Sequence, residues 1–130
     1  MNNFPTKFID LLTNEAQAYL FLATTMPDGS PQVTPVWFNT DSEHILINTS
    51  AGRTKDRNMS ARPQVALVIM KPQEPFRYLQ IRGRVIERTT QGANEHINAL
   101  AIKYTAKPWD SQPGQTRVLY KIRAEHFDQH

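Results

Sequence analysis

Ala18-Tyr19-Leu20-Phe21-Leu22-Ala23-Thr24-Thr25, Met26-Pro27-Asp28-Gly29-Ser30-Pro31 and Gln32-Val33-Thr34-Pro35-Val36-Trp37-Phe38 follow one another without a break, and this run decides the fold class. The first segment is rich in Tyr, Leu, Phe and Thr and reads as a strand buried on both faces. Pro27-Asp28-Gly29-Ser30 is a turn, because proline fixes φ at its entry and glycine accepts positive φ. Gln32 to Phe38 reads as a second strand, folded back on the first as a hairpin. Pro35 has no N–H to give to a ladder. One side of that strand is therefore expected to be an edge, or to face something other than a strand.

The rest of the chain extends this pattern. Ahead of it, Pro5-Thr6 begins a short helix carrying Phe8, Leu11 and Leu12, which Asn14 or Glu15 ends. After it, Asn39 to Glu43 is a polar turn and Ile45 to Asn48 a third strand, broken by Thr49-Ser50-Ala51-Gly52. A short helix is expected from Thr54 to Ala61, stopped by Pro63. Val65 to Met70 is a fourth strand. Phe76 to Glu87 is a fifth, with Tyr78, Gln80, Arg82 and Arg84 on one face and Leu79, Ile81, Gly83 and Val85 on the other. Thr89 or Thr90 is expected to cap a helix over Gly92 to Tyr104, with Ile97, Leu100, Ala101 and Tyr104 on one stripe. Lys107 to Gly114 is irregular, and Arg117 to Arg123 is the last strand. Runs of strands with helices at the ends and corners imply an antiparallel sheet, mainly β, in one domain spanning residues 1–130.

Hydrophobic residues make up 39% and charged residues 21% of the chain, a balance that folds around a core. No apolar run approaches the roughly 20 residues of a membrane-spanning helix. The opening Met1-Asn2-Asn3-Phe4-Pro5 has neither the basic cluster nor the apolar stretch of a secretory signal. There are no cysteines, which excludes disulfides and cysteine-based metal or redox sites and fits a cytoplasmic protein. The net charge is +3, and the stretch from Arg53 to Arg62 alone carries it, with Arg53, Lys55, Arg57 and Arg62 against Asp56. An anionic ligand or surface suits such a segment, and a solvated basic helix face is the competing reading.

The segment Ile47 to Asn58 holds the chemistry. A strand ends, small and hydroxyl residues turn the chain, and a helix starts among cations. Helix starts leave N–H groups unpaired and carry a partial positive charge. Hydroxyls of Thr49 and Ser50 with the charges of Arg53 and Lys55 would complete a phosphate cradle there, Gly52 letting the backbone come close. A solvated helix cap is the alternative.

The chain resembles the pyridoxamine 5′-phosphate oxidase-like superfamily, in particular its small F-420-dependent or FMN-binding branch. The resemblance runs from Tyr19 to Phe127. It is carried by Leu22-Ala23-Thr24-Thr25, Pro27-Asp28-Gly29-Ser30-Pro31 and Val33-Thr34-Pro35-Val36-Trp37-Phe38. Asn48-Thr49-Ser50, Gly52-Arg53-Thr54-Lys55, Arg57-Asn58, Arg62-Pro63-Gln64-Val65-Ala66-Leu67 and Tyr78-Leu79-Gln80-Ile81-Arg82-Gly83 continue it. The helix with His96-Ile97 and Leu100-Ala101-Ile102-Lys103-Tyr104 completes it.

This resemblance implies an antiparallel split β-barrel of the FMN-binding type that forms a homodimer with one cofactor, F-420 or FMN, per subunit at the interface. It places Val33, Thr34, Pro35, Val36 and Trp37 along the tricyclic ring, largely through backbone. Asn48, Thr49 and Ser50 would meet the ribityl chain or phosphate. Arg53 and Lys55 would bind the phosphate with help from Asn58, and Gln80 and Tyr78 would come from the partner subunit. The loop holding Trp109 would cover the ring. The implied activity is hydride transfer between the ring and a small unsaturated substrate, with no catalytic acid or base nominated. With little chain after the last strand, vitamin B6 oxidase activity is not expected.

Three functions compete: the oxidoreductase, a non-catalytic flavin- or haem-binding split barrel, and a nucleic-acid binder suggested by the pI of about 9.4. The last fits least, because Asp56 and nearby Asn and Ser residues dilute the basic segment. His44, His96, His126 and His130 match no metal spacing and read as surface or capped histidines. None of the serines reads as an activated nucleophile. Trp37 and Phe38 read as core unless a ligand claims one of them. Neither a membrane nor a nucleic-acid partner is expected.

Overall fold

A computed structural model describes residues 4–129; Met1 to Asn3 and His130 lie outside the described residues. The strands are β1 (Tyr19–Thr25), β2 (Pro31–Val36), β3 (Phe38–Thr40), β4 (Ile45–Ser50), β5 (Gln64–Met70), β6 (Tyr78–Thr89) and β7 (Arg117–Gln129). A 3₁₀ helix (Thr6–Leu12), α1 (Thr54–Ala61) and α2 (Ala93–Thr105) accompany them. The strands form one sheet in the order β2-β1-β5-β6-β7-β4-β3, antiparallel throughout.

That order has a geometric consequence. β2 and β3 lie at opposite edges of the sheet, yet only Trp37 separates them in the chain. Consecutive Cα atoms are about 3.8 Å apart, so the sheet curls until its edges meet at Trp37. The fold is a mainly β split barrel. The single strand expected over Gln32 to Phe38 is therefore two, and Trp37 is the corner between them.

The hairpin forms as its turn residues require. Gly29 has φ +88°, Gly29 N–H donates to Met26 O, and Met26 N–H donates to Ser30 O. Pro35 sits opposite Phe21 on β2, whose other side is a sheet edge. Inside, alternate residues of every long strand meet: Leu20 and Leu22, Leu67 and Ile69, Leu79 and Ile81, Tyr120 and Ile122. Phe4 and the 3₁₀-helix residues Phe8, Leu11 and Leu12 close one end of this core.

Four further expectations change. β1 is buried on one face only; Tyr19 is 48% exposed, and Phe21 and Ala23 are half-buried, because no strand layer covers the outside of the barrel. β4 runs on through Thr49 to Ser50 before Gly52, at φ +91°, turns the chain. Neither Thr89 nor Thr90 caps α2 with its side chain; Gly92 holds that position at φ +75°. β7 extends to Gln129, since β6 is long enough to pair with it as far as Leu79↔Gln129. Among the described residues no helix is long and apolar enough to cross a membrane.

Candidate functional site

A cleft of about 480 Å³ opens where the curled sheet brings β2 and β4 to the same side as α2. Such a volume lies in the usual range for organic ligands, about 300–1,000 Å³. Tyr19, Pro35, Val36 and Trp37 form one wall, while Asn48, Thr49 and Ser50 line it from β4. Ile97 and Leu100 of α2 and the loop residue Trp109 add apolar surface. Arg53, Lys55 and Arg117 supply the charge.

The aromatic wall is a ladder. Tyr104 stacks on Trp37 with centroids 5.4 Å apart and planes 7° from parallel. Trp109 meets Trp37 edge-on at 6.1 Å, and the Arg117 guanidinium lies over the Trp109 ring at 5.0 Å. Offset and edge-on geometries are those that the aromatic quadrupole favours. Trp109 is fixed from behind by its backbone N–H, which donates to Asn98 Oδ1 at 2.9 Å.

The three cations have no acid beside them. Among the described residues, no carboxylate lies within ion-pair distance of Arg53, Lys55 or Arg117. Asp56 was expected to dilute this charge, but it is buried and spoken for. It receives Arg88 Nε at 2.9 Å, Gly52 N–H at 2.8 Å and the Tyr120 hydroxyl. Burial works to raise its pKa, yet Arg88, Tyr120 and Gly52 outweigh it and hold the carboxyl at about 2. Burial and then the charges of Arg53 and Arg117 push the Lys55 pKa down, and burial and Arg53 do the same to Arg117. Lys55 and Arg117, partly desolvated and set beside the exposed Arg53, would be relieved by an anion.

Asn48 and His96 set the position of Arg117. Asn48 Nδ2 donates to Ala93 O at 2.9 Å and to His96 Nδ1 at 3.1 Å, so His96 carries its proton on Nε2 and gives it to Asn39 Oδ1 at 2.8 Å. Asn48 Oδ1 then accepts from Arg117 Nε at 2.9 Å, and Ser50 Oγ accepts from Arg117 Nη1 at 3.0 Å. Burial lowers the His96 pKa to about 4, which keeps it neutral and able to accept. Of the two alternatives, surface or capped, His96 is not at the surface: it is 7% exposed, with both ring nitrogens hydrogen-bonded in this network.

The residues expected at the site divide. Pro35, Val36 and Trp37 line the cleft with Asn48, Thr49 and Ser50, and Arg53 and Lys55 join them. Thr34 lines a neighbouring cleft of about 320 Å³ with Gln32, Arg57 and the same Arg53 and Lys55. Its Oγ1 is buried without a hydrogen-bond partner. Val33 points outward, 64% exposed. Asn58 lines neither cleft: it is buried on the inner side of α1, where Nδ2 donates to Thr24 Oγ1 and Oδ1 accepts from Arg62. Tyr78 and Gln80 alternate with the buried Leu79 and Ile81, so they face outward on β6, away from this cleft. Arg117, Tyr19, Ile97 and Leu100 escaped the sequence reading. Arg117 comes to the site only through the pairing Ser50↔Arg117 of β4 with β7.

A split barrel with an acid-free, aromatic-walled cleft beside its seam defines the class of small, mainly β proteins to which this fold belongs. The chain belongs to the pyridoxamine 5′-phosphate oxidase family, whose model matches residues 9–130. The structure of an F420 reductase is similar at 32% identity with a TM-score of 0.85, covering 98% of this chain and 100% of that one. Two more distant structures share the fold. The conserved hypothetical protein Rv2991 from Mycobacterium tuberculosis has 21% identity and a TM-score of 0.74, covering 95% of this chain and 82% of its own. HupZ from Group A Streptococcus has 17% identity and a TM-score of 0.67, with 95% and 91% covered. No curated protein matches the chain.

Proposed function

We propose that this chain is a homodimeric oxidoreductase that holds F-420, or FMN in the same place, and passes hydride between that ring and a small unsaturated substrate. The observation that carries the reading is the set of three cations without a carboxylate, gathered at one side of an aromatic-walled cleft. A phosphate on Arg53, Lys55 and Arg117 would relieve their repulsion, and the hydroxyls of Thr49 and Ser50 stand beside them. Asn48 is a positioning residue: its Oδ1 accepts from Arg117, while its Nδ2 is anchored on Ala93 O and His96. The β2 backbone from Thr34 to Val36, continued by Trp37, offers an edge and an apolar wall for the ring. Tyr78 and Gln80 would complete the cleft of the second subunit.

F-420 stands first for two reasons. The neighbouring cleft continues the basic surface past the phosphate position with Arg57 and the unpartnered Thr34 Oγ1, which suits a cofactor with an anionic tail. The similar F420 reductase points the same way. Bound F-420 or FMN supplies the hydride chemistry. The protein holds the ring, fixes its orientation and stabilises negative charge near it.

Fluorescence quenching with each cofactor tests this. Arg53→Ala with Lys55→Ala removes two charge-assisted contacts, so the Kd rises by at least about tenfold. Unchanged affinity would refute the cradle. Tight FMN binding with none of F-420 would reverse the order of cofactors.

A further inference from the structure

Behind Trp109 lies a smaller space of about 200 Å³, framed by Asn94 and Asn98 of α2 and by Ser111, Gln112 and Gln115 of the following loop. It shares Ile97, Trp109 and Arg117 with the large cleft. We propose that this space is a subsite for a small organic carboxylate, placed against the ring cleft. The proposal rests on the reading above for its role in catalysis, since it names the substrate class of the same site.

Charge and hydrogen-bond chemistry carry it. No acid lines the space, and the one charge is the Arg117 guanidinium. Nε and Nη1 of Arg117 are committed to Asn48, Ser50 and Gln115, whereas Nη2 donates to nothing among the described residues. Asn98 Oδ1 is taken by the Trp109 N–H and Gln115 Oε1 by Arg117, so what these two side chains have left to offer is NH₂ donors. A carboxylate is an acceptor only and matches a wall of donors. A phosphate carries at most about two negative charges, so the three cations of the large cleft retain one for a second anion. The volume lies below the usual range for drug-sized ligands, about 300–1,000 Å³, and limits the occupant to a small molecule. Trp109 and Ile97 would cover its apolar part.

Calorimetry on the full chain with benzoate, benzamide and inorganic phosphate tests the assignment. Benzoate is expected to bind, benzamide about tenfold more weakly or worse, because a hydrogen bond to a charged group is lost. Phosphate and the bound cofactor share Arg117 with the subsite, so each is expected to weaken benzoate severalfold without excluding it. Asn94→Ala and Gln112→Ala weaken benzoate severalfold while F-420 or FMN affinity holds, which also shows that both variants fold. Equal binding of benzamide, complete exclusion of benzoate by phosphate or cofactor, or no effect of either variant would overturn the subsite. Failure of both cofactors to bind would sink the oxidoreductase reading instead, and the benzoate result on cofactor-free protein would still stand.

Discussion

His96 ties protonation to both stability and site geometry. Its pKa is about 4 in the fold, against about 6.5 in an unfolded chain. Between those values the unfolded chain binds more protons, so stability falls as pH falls from 6.5 to 4, by about 3 kcal/mol in all. Asp56 acts in a separate, more acid window: its carboxyl, lowered to about 2, contributes stability above the ordinary 3.8 that is lost as pH falls through 2. Urea unfolding at stepped pH reads both, and His96→Gln should abolish only the upper phase. An unchanged slope in that variant would assign the loss elsewhere. The sequence exposes His96 as a residue but not its surroundings, because its partners Asn39 and Asn48 arrive from β3 and β4, 57 and 48 positions away. Arg117 is hidden for the same reason, lying 69 positions from Asn48. Arg53 and Lys55 were legible because they sit within one short segment.

The pairing of β6 with β7 depends on a missing side chain. A Cβ built on Gly83 would stand 2.5 Å from Arg123 O, beside the register shift between Arg82 and Gly83. Gly83→Ala therefore forces two backbones apart and costs about 1–3 kcal/mol, read as a lower urea midpoint. A neutral result would mean that the bulge absorbs the methyl group. Local patterning made most elements readable: period-two alternation marked β6, Pro27-Asp28-Gly29 the hairpin, and Pro63 the end of α1. It failed at Trp37, where an apolar run continues although the chain changes from one edge of the sheet to the other. Nothing in hydrophobic spacing separates a long strand from two that meet at a corner.

At the scale of the molecule, the outside of the barrel carries apolar side chains where β1 and β5 pair. Phe21 lies opposite Val68, and Ala23 opposite Ala66, all half-exposed. The proposed homodimer would cover this face and bring Gln80, paired with Val68, toward a second cleft. Gel filtration at micromolar concentration should give a dimer, and Val68→Glu a monomer with weakened cofactor binding. A wild-type monomer that binds cofactor fully would show the site complete in one chain. The strand order of the sheet also orders events in time. Pairing of β4 with β7, far apart in sequence, is slow to achieve, and the cleft waits on it, because that pairing brings Arg117 to Asn48 and Ser50. The cleft is then expected to assemble late. Cofactor added to refolding protein should leave the refolding rate unchanged and act wholly by slowing unfolding, with stopped-flow traces showing one limb of the kinetics moving and the other still.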